Sequence, residues 1–354
     1  MNALLEEYYR YDLHNAGFIE RKYSIPEHSV LITGVTQSGK TALIKNHLLS
    51  HKKSTYLYLD CRDYRIDPDE INRELGPFCT EHKLSIVVLD NYRPEIALPH
   101  VDQLILSCEK PFETELEHLE LHLLDYEEFL AFEPKFDSTA LNHFFQLGGF
   151  PAMHRIPSEE RLLYLQKALI HTLDPIEFDI LAQSTKMVTQ KVSAYNLYER
   201  LKGERKISKD KLYLHVQSLL DKRYLHQLEK YNHPNAVKKL YVCDIAIKHA
   251  LNLQKHFGRL FENLIYLELL KHSIECYYEE GIDFYLPERR VILLALPFAN
   301  EHALFKKVEM LEGFIITNRV KEIIAVTMNL ESTLSHPIAR IEMVPFSLWA
   351  LGEE

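Results

Sequence analysis

The chain has 354 residues, 46% of them hydrophobic and 26% charged, which excludes a disordered or fibrous protein and leaves room for two or three domains. A net charge of −10 provides no global attraction to nucleic acid, and no apolar run approaches the roughly 20 residues that span a bilayer, so no membrane partner is expected. Five scattered cysteines (Cys61, Cys79, Cys108, Cys243 and Cys276) form no C-x-x-C pair, which argues against a disulfide framework or zinc and fits a reducing cytoplasm.

In chain order, MNALLEEYYRYDL is acidic and aromatic, unlike a secretory signal. Residues 2 to 16 space Leu4, Leu5, Tyr8, Tyr9 and Leu13 as an amphipathic helix. The organising stretch is SVLITGVTQSGKTALIKNHLL, residues 29 to 49. Within it Gly34, Val35, Thr36, Gln37, Ser38, Gly39, Lys40 and Thr41 match the phosphate-loop pattern G-x-x-x-x-G-K-[ST]. Val30, Leu31 and Ile32 read as a buried strand, and the residues after Thr41 have helical spacing, so the glycines fall where a strand turns into a helix. Such a loop curls its N–H groups toward phosphate oxygens, and the helix adds its positive end. Lys40 is expected on the β- and γ-phosphates of ATP, with the Thr41 hydroxyl on Mg²⁺.

Three further short apolar runs follow: Tyr56 to Cys61, Ser85 to Asn91, and Gln103 to Glu109. Continuous apolar runs separated by helical segments predict a doubly wound α/β sheet with parallel strands. Ile86 to Leu89 lead into Asp90, whose carboxylate would hold Mg²⁺ through water. ATPases of this general kind place Glu after that Asp, but here the residue is Asn91, and an amide cannot serve as a general base. Either another acid such as Glu95 substitutes, or hydrolysis is slow or absent. Ser107, ending the next strand, either orients water near the γ-phosphate or simply closes the strand.

Asp125, Glu127 and Glu128 read as the start of an amphipathic helix rather than an acid/base pair. Leu147-Gly-Gly-Phe-Pro151 is a turn that closes the nucleotide-binding part, and residues 160 to 185 are helical in pattern. From Lys186 to Lys230 there are 11 Lys and Arg against 5 Asp and Glu, a basic island in an acidic chain. Lys191 to Tyr231 reads as helix, turn, helix and short strand, the spacing of a winged helix, with Ser208 as N-cap of the second helix. Lys202, Arg205, Lys206, Lys209 and Lys211 cluster there, offering DNA or RNA contacts through residues 191–230 or a solvated basic face. KLYVCDIAIKHAL reads as a strand running into a helix at Asp244. His118 and His122, and His249 and His256, have helical spacing but no third ligand, so all four read as structural.

Taken together, GVTQSGKTALI, VVLDN, LILSC, LLDYEEFLAF, GGFP, KLYVCDIA, FGRLFENLIYLEL and the closing IEMVPFSLWALGEE resemble a family over nearly the whole chain. It is the prokaryotic AAA-type ATPases that carry a C-terminal domain of unknown function, itself similar to restriction endonucleases. The resemblance implies a P-loop ATPase domain (residues 1–155), a winged-helix domain (156–250) and a nuclease-like α/β domain (251–354). In related proteins the tail carries a Glu on its first helix, then E-V-D-F, then a strand with a Lys. Here Glu262 matches the helix Glu and Asp283 the retained acid, while VILLALPF at 291 to 298 has neither acid nor Lys. Two carboxylates alone fall short of a metal-dependent nuclease, so the tail reads as a scaffold that does not cleave. Three functions remain open: an ATP-dependent switch or slow ATPase, a nucleic-acid-binding protein regulated by ATP, and, least favoured, a nuclease. AAA-type proteins often supply an arginine finger from an identical neighbour, but nothing singles out Arg155, Arg161 or Arg200, so homo-oligomerisation stays open.

Overall fold

The computed structural model describes residues 1–14, 18–133, 139–203, 205–254 and 256–352. Two compact units result, Met1–Leu123 and Leu124–Glu354.

The first unit begins with α1 (Asn2–Arg10), then β1 (Val30–Thr33), α2 (Lys40–Leu48), β2 (Tyr56–Asp60), α3 (Pro68–Glu81), β3 (Ile86–Asp90), β4 (Gln103–Ser107) and β5 (Glu117–Glu120). All strand pairs are parallel and the order is β2-β3-β4-β1-β5. Because strand residues alternate faces, Leu57, Leu59, Val87, Leu89, Leu104 and Leu106 pack with Leu5, Ile71, Leu75 and Phe78 of α1 and α3. Val30, Ile32, Tyr58, Val88 and Ile105 pack instead with Leu43, Ile44 and Leu48 of α2. The sheet is thus covered on both faces, as its continuous apolar strands require.

Helix α1 is shorter than its pattern suggests. Tyr11 is already extended, and Leu13 joins the core on the α2 side whereas Leu4 and Leu5 lie on the α3 side. One straight helix cannot serve both faces of a sheet, so it ends at Arg10. Strand β5 is charged and half exposed, an edge strand without an apolar signature. It carries His118, whose Nε2 lies 2.6 Å from Thr33 Oγ1, so the helical spacing of His118 and His122 has no helix beneath it.

The second unit runs α4 (Tyr126–Phe132), α5 (Ala140–Leu147), α6 (Arg161–Thr172), α7 (Pro175–Ser184), α8 (Ala194–Leu201) and α9 (Lys209–Asp221), then β6 (Leu225–Leu228), β7 (Lys239–Val242), α10 (Ile245–Leu251) and α11 (Phe257–Lys271). It closes with β8 (Tyr277–Glu279), β9 (Ile282–Leu286), β10 (Val291–Ala295), α12 (Glu301–Thr317), β11 (Glu322–Thr327), β12 (Ser332–Leu334), β13 (Arg340–Pro345) and α13 (Phe346–Leu351). Helices α7, α8 and α9 pack on one another, and β6 and β7 form an antiparallel pair beside them. Strands β8 to β13 form a mixed sheet ordered β12-β13-β11-β10-β9-β8, with Leu304, Val308, Leu311 and Ile315 of α12 in its core. Side chains cap several helices where the sequence suggests: Asp125 accepts from Glu128 N and Ser208 from Lys211 N. His249 sits on α10 and His256 at the N-cap of α11, so that pair belongs to two helices rather than one. No helix among the described residues is long and apolar enough to cross a membrane.

Asp244 explains the Gly-Gly turn. Its carboxylate caps α10 at Ala246 N and accepts from Gly149 N, both at 2.7 Å. Gly148 has φ +66°, and a methyl group there would overlap Asp244. Burial pushes the Asp244 carboxyl up to about 6, opposed by those two N–H donors and the Lys271 charge. The folded chain therefore favours the proton, and this stabilising contribution, complete at acid pH, is lost as pH rises through 6. In Asp244→Asn that dependence is expected to vanish, moving the stability difference toward the variant by about 2–3 kcal/mol between about pH 4 and about pH 7. Denaturant titrations at the two pH values measure it.

Candidate functional site

The loop from Gly34 to Gly39 joins β1 to α2 by way of unusual backbone. Gly34 has φ +147°, Gln37 +63° and Gly39 +99°, and a Cβ on Gly34 would overlap the Leu121 carbonyl oxygen. Only glycine fits there without strain. From outside the motif, buried Arg21 donates to the Ser38 carbonyl (3.0 Å) and the His122 carbonyl (2.8 Å), fixing the loop.

Lys40 begins α2 and is 7% exposed. Its Nζ donates to the carbonyls of Gly34 (2.6 Å) and Val35 (3.1 Å), which keeps the ammonium inside the loop. Burial lowers its pKa, while the charges of Glu109 and Asp90 oppose the shift. Thr41 Oγ1 donates to Asp90 Oδ2 at 2.6 Å. Asp90 ends β3, is fully buried, and also accepts from Tyr58 Oη (2.7 Å) and from Ser107 Oγ. Three hydroxyls on one carboxylate satisfy a charge that would be costly to bury alone. Burial and the neighbouring Asp90 push the Tyr58 hydroxyl well above its ordinary pKa, so it remains a donor.

Strand order brings these groups together. With β4 between β3 and β1, Ser107 at the tip of β4 bonds Asp90 and also accepts from Asn91 N at 2.9 Å. Asn91 has φ +56°, and its Nδ2 donates to Asp60 Oδ1 at 3.1 Å, on the tip of β2. Glu95 is exposed, and its backbone carbonyl accepts from Asn72 of α3. Tyr58, Asp60 and Arg21 escape a motif search. The only hint in the sequence is the alternation YLYLD, which puts Tyr58 and Asp60 on one face of a strand ending near Asp90.

The basic island is partly neutralised. Lys202 pairs with Glu199, and Arg205 donates to Asp179 and to the Pro175 carbonyl. Lys206, Lys209 and Lys211 are exposed, and among the described residues none of the three forms an ion pair. Lys209 lies over the Tyr195 and Tyr198 rings, 4.9 and 5.6 Å from their centroids, near exposed Tyr213 and Leu214.

In the second unit, β7 brings a lysine to Glu262 and Asp283. Lys239 Nζ lies 2.8 Å from Glu262 Oε1 and 3.7 Å from Asp283 Oδ1, and Tyr241 Oη donates to Glu262 at 2.9 Å. Asp283 also accepts from Ala295 N, and Lys307 lies 3.9 Å away. Burial and the Asp283 charge push the Glu262 pKa up. Among the described residues, Asp125, Glu268 and His272 also approach one another, but Asp125 caps α4 and Glu268 accepts from Tyr126 N, which are structural tasks.

A parallel five-stranded sheet whose first strand feeds a glycine loop and then a helix defines a mixed α/β protein and is consistent with a P-loop-like fold. No known protein-family model matches the chain. An uncharacterized protein of Methanocaldococcus jannaschii is 24% identical over 399 aligned residues, covering 92% of this chain and 89% of that protein. Among solved structures, the Orc1 protein of Aeropyrum pernix in complex with DNA is 16% identical with a TM-score of 0.25, covering 63% of this chain and 86% of that one.

Proposed function

We propose that residues 34–41 bind a nucleoside triphosphate, ATP in the first instance, and that the protein is a nucleotide-dependent switch or slow ATPase of the AAA type. The observation that carries this reading is the convergence of Lys40, Thr41 and Asp90 at one end of a parallel sheet, with Thr41 and Asp90 bonded at 2.6 Å. The loop N–H groups and the start of α2 supply dipoles for phosphate, and Lys40 supplies the charge. The residues also suit Mg²⁺. Thr41 and Asp90 are adjacent oxygen donors of the hard kind it prefers, and the buried Ser38 hydroxyl has no partner among the described residues. Thr41 and Asp90 would hold the ion, which neutralises phosphate charge when bound. Calorimetry with ATP and Mg²⁺ tests the reading: saturable heat with a Kd of about 1 mM or tighter is expected, and its absence for both ATP and GTP refutes it.

A second reading, nucleic-acid binding, draws on Lys206, Lys209 and Lys211 beside exposed aromatic side chains on a winged-helix-like trio with its hairpin. Here the triple reversal to Glu is expected to abolish a gel shift seen at low salt. Restoring single lysines should steepen the salt dependence by about one counterion per phosphate contact. A wild-type chain that shifts no DNA or RNA at low salt removes this reading. For the tail, a nuclease-like scaffold without cleavage is favoured, because the Lys239 ammonium stands between Glu262 and Asp283, where a nuclease would need a metal ion.

A further inference from the structure

Hydrolysis of a bound triphosphate requires an acceptor for the hydrogen of the attacking water. Asn91, directly after Asp90, offers an amide where an acid is expected. Its left-handed backbone directs the side chain toward β2, and its Nδ2 ends on Asp60 Oδ1 at 3.1 Å. Asp60 therefore lies one hydrogen bond from the side chain that occupies the acid's usual place. Parallel register makes this possible, since Asp60 and Asp90 are direct partners at the tips of β2 and β3.

We propose that Asp60 is the catalytic carboxylate of this protein, orienting the attacking water in place of the missing glutamate, with the Asn91 amide and Arg62 holding it. The proposal rests on the reading of residues 34–41 as a triphosphate site. Asp90 cannot take the role, because it is fully buried. The Asp60 side chain is 25% exposed, open to the water that Asp90 cannot reach. Arg62 grips it with Nε at 3.0 Å and Nη2 at 2.7 Å, which keeps the carboxylate ionised and fixes its rotamer. In the step, the water oxygen attacks the γ-phosphorus while donating a hydrogen bond to Asp60. The bond from γ-phosphorus to the β–γ bridging oxygen breaks, and its electron pair leaves with the nucleoside diphosphate. The water proton passes through the carboxylate to solvent, leaving inorganic phosphate.

The test compares ATP turnover and ATP binding, both with Mg²⁺, in the full chain and in D60N, D60E, E95Q and E109Q. Turnover in D60N is expected to fall by about 100-fold or more while the Kd for ATP stays within about threefold, with partial recovery in D60E. E95Q is expected to turn over like the wild type, and E109Q, whose lost charge acts on Lys40, to lose far less turnover than D60N. The proposal is overturned if D60N hydrolyses ATP at the wild-type rate, if E95Q or E109Q shows the loss instead, or if the wild type binds ATP without turning it over. A wild type that binds no nucleotide at all refutes the triphosphate site itself, an outcome the binding arm reads separately.

Discussion

Lys40→Ala is expected to weaken ATP binding by about 100-fold while leaving the chain as stable as the wild type or more so. The first half follows from losing a charge-assisted hydrogen bond to phosphate, typically about 1.5–3 kcal/mol, or about 10- to 150-fold in Kd. The second half follows from burial. At 7% exposure the ammonium has given up most of its hydration, which is why its pKa falls. The folded state therefore binds this proton less tightly than the unfolded one, so the charge opposes folding at neutral pH and its removal relieves that cost. Calorimetry and a thermal melt on the same sample separate the two effects. Binding that survives the substitution would contradict the proposed site, whereas binding and stability lost together would mean that Lys40 is a structural residue. Lys40→Arg is not expected to rescue, because the two loop carbonyls at 2.6 and 3.1 Å enclose a compact ammonium rather than a planar fork.

The largest loss of stability is expected at Lys239→Met. Lys239, Glu262 and Asp283 have side chains only 12%, 13% and 19% exposed, so removing the ammonium leaves two carboxylates facing each other with little solvent. Breaking a buried ion pair from one side costs about 3–5 kcal/mol. The pH dependence follows from Glu262, whose pKa is raised by burial and by Asp283. An acid whose folded pKa is raised stabilises the fold when protonated, and this is lost as pH rises through that value. The deficit of Lys239→Met should accordingly shrink as pH is lowered and grow toward neutrality, and a second change, Glu262→Gln, should restore much of it. Denaturant melts of the single and double variants across pH measure both. A variant as stable as the wild type at neutral pH would show that Lys307 or water already compensates the pair.

The glycine turn before α2 was readable because the residues that shape it lie within eight consecutive positions, 34 to 41. The strand ending in Asp90, the cap at Ser208 and the helix starts at Asp125 and Asp244 were readable for the same reason, since short-range spacing sets them. Where the pattern misled, long-range packing intervened. Helix α1 stops because Leu13 belongs to the other face of the sheet, and the charged strand β5 exists because β1 offers it an edge.

Local chemistry alone therefore determined that a glycine loop of G-x-x-x-x-G-K-[ST] spacing precedes a helix, that Asn91 follows Asp90, and that residues 291 to 298 carry neither acid nor Lys. Tertiary structure decided which partners those residues meet. The order β2-β3-β4-β1 gathers Tyr58, Asp60, Asp90, Ser107 and Thr41 at one end of the sheet, and β7 delivers Lys239 to Glu262 and Asp283. The reason is geometric: strand neighbours are chosen by the burial of whole faces, so side chains tens of residues apart become hydrogen-bond partners without leaving a periodic mark in the sequence.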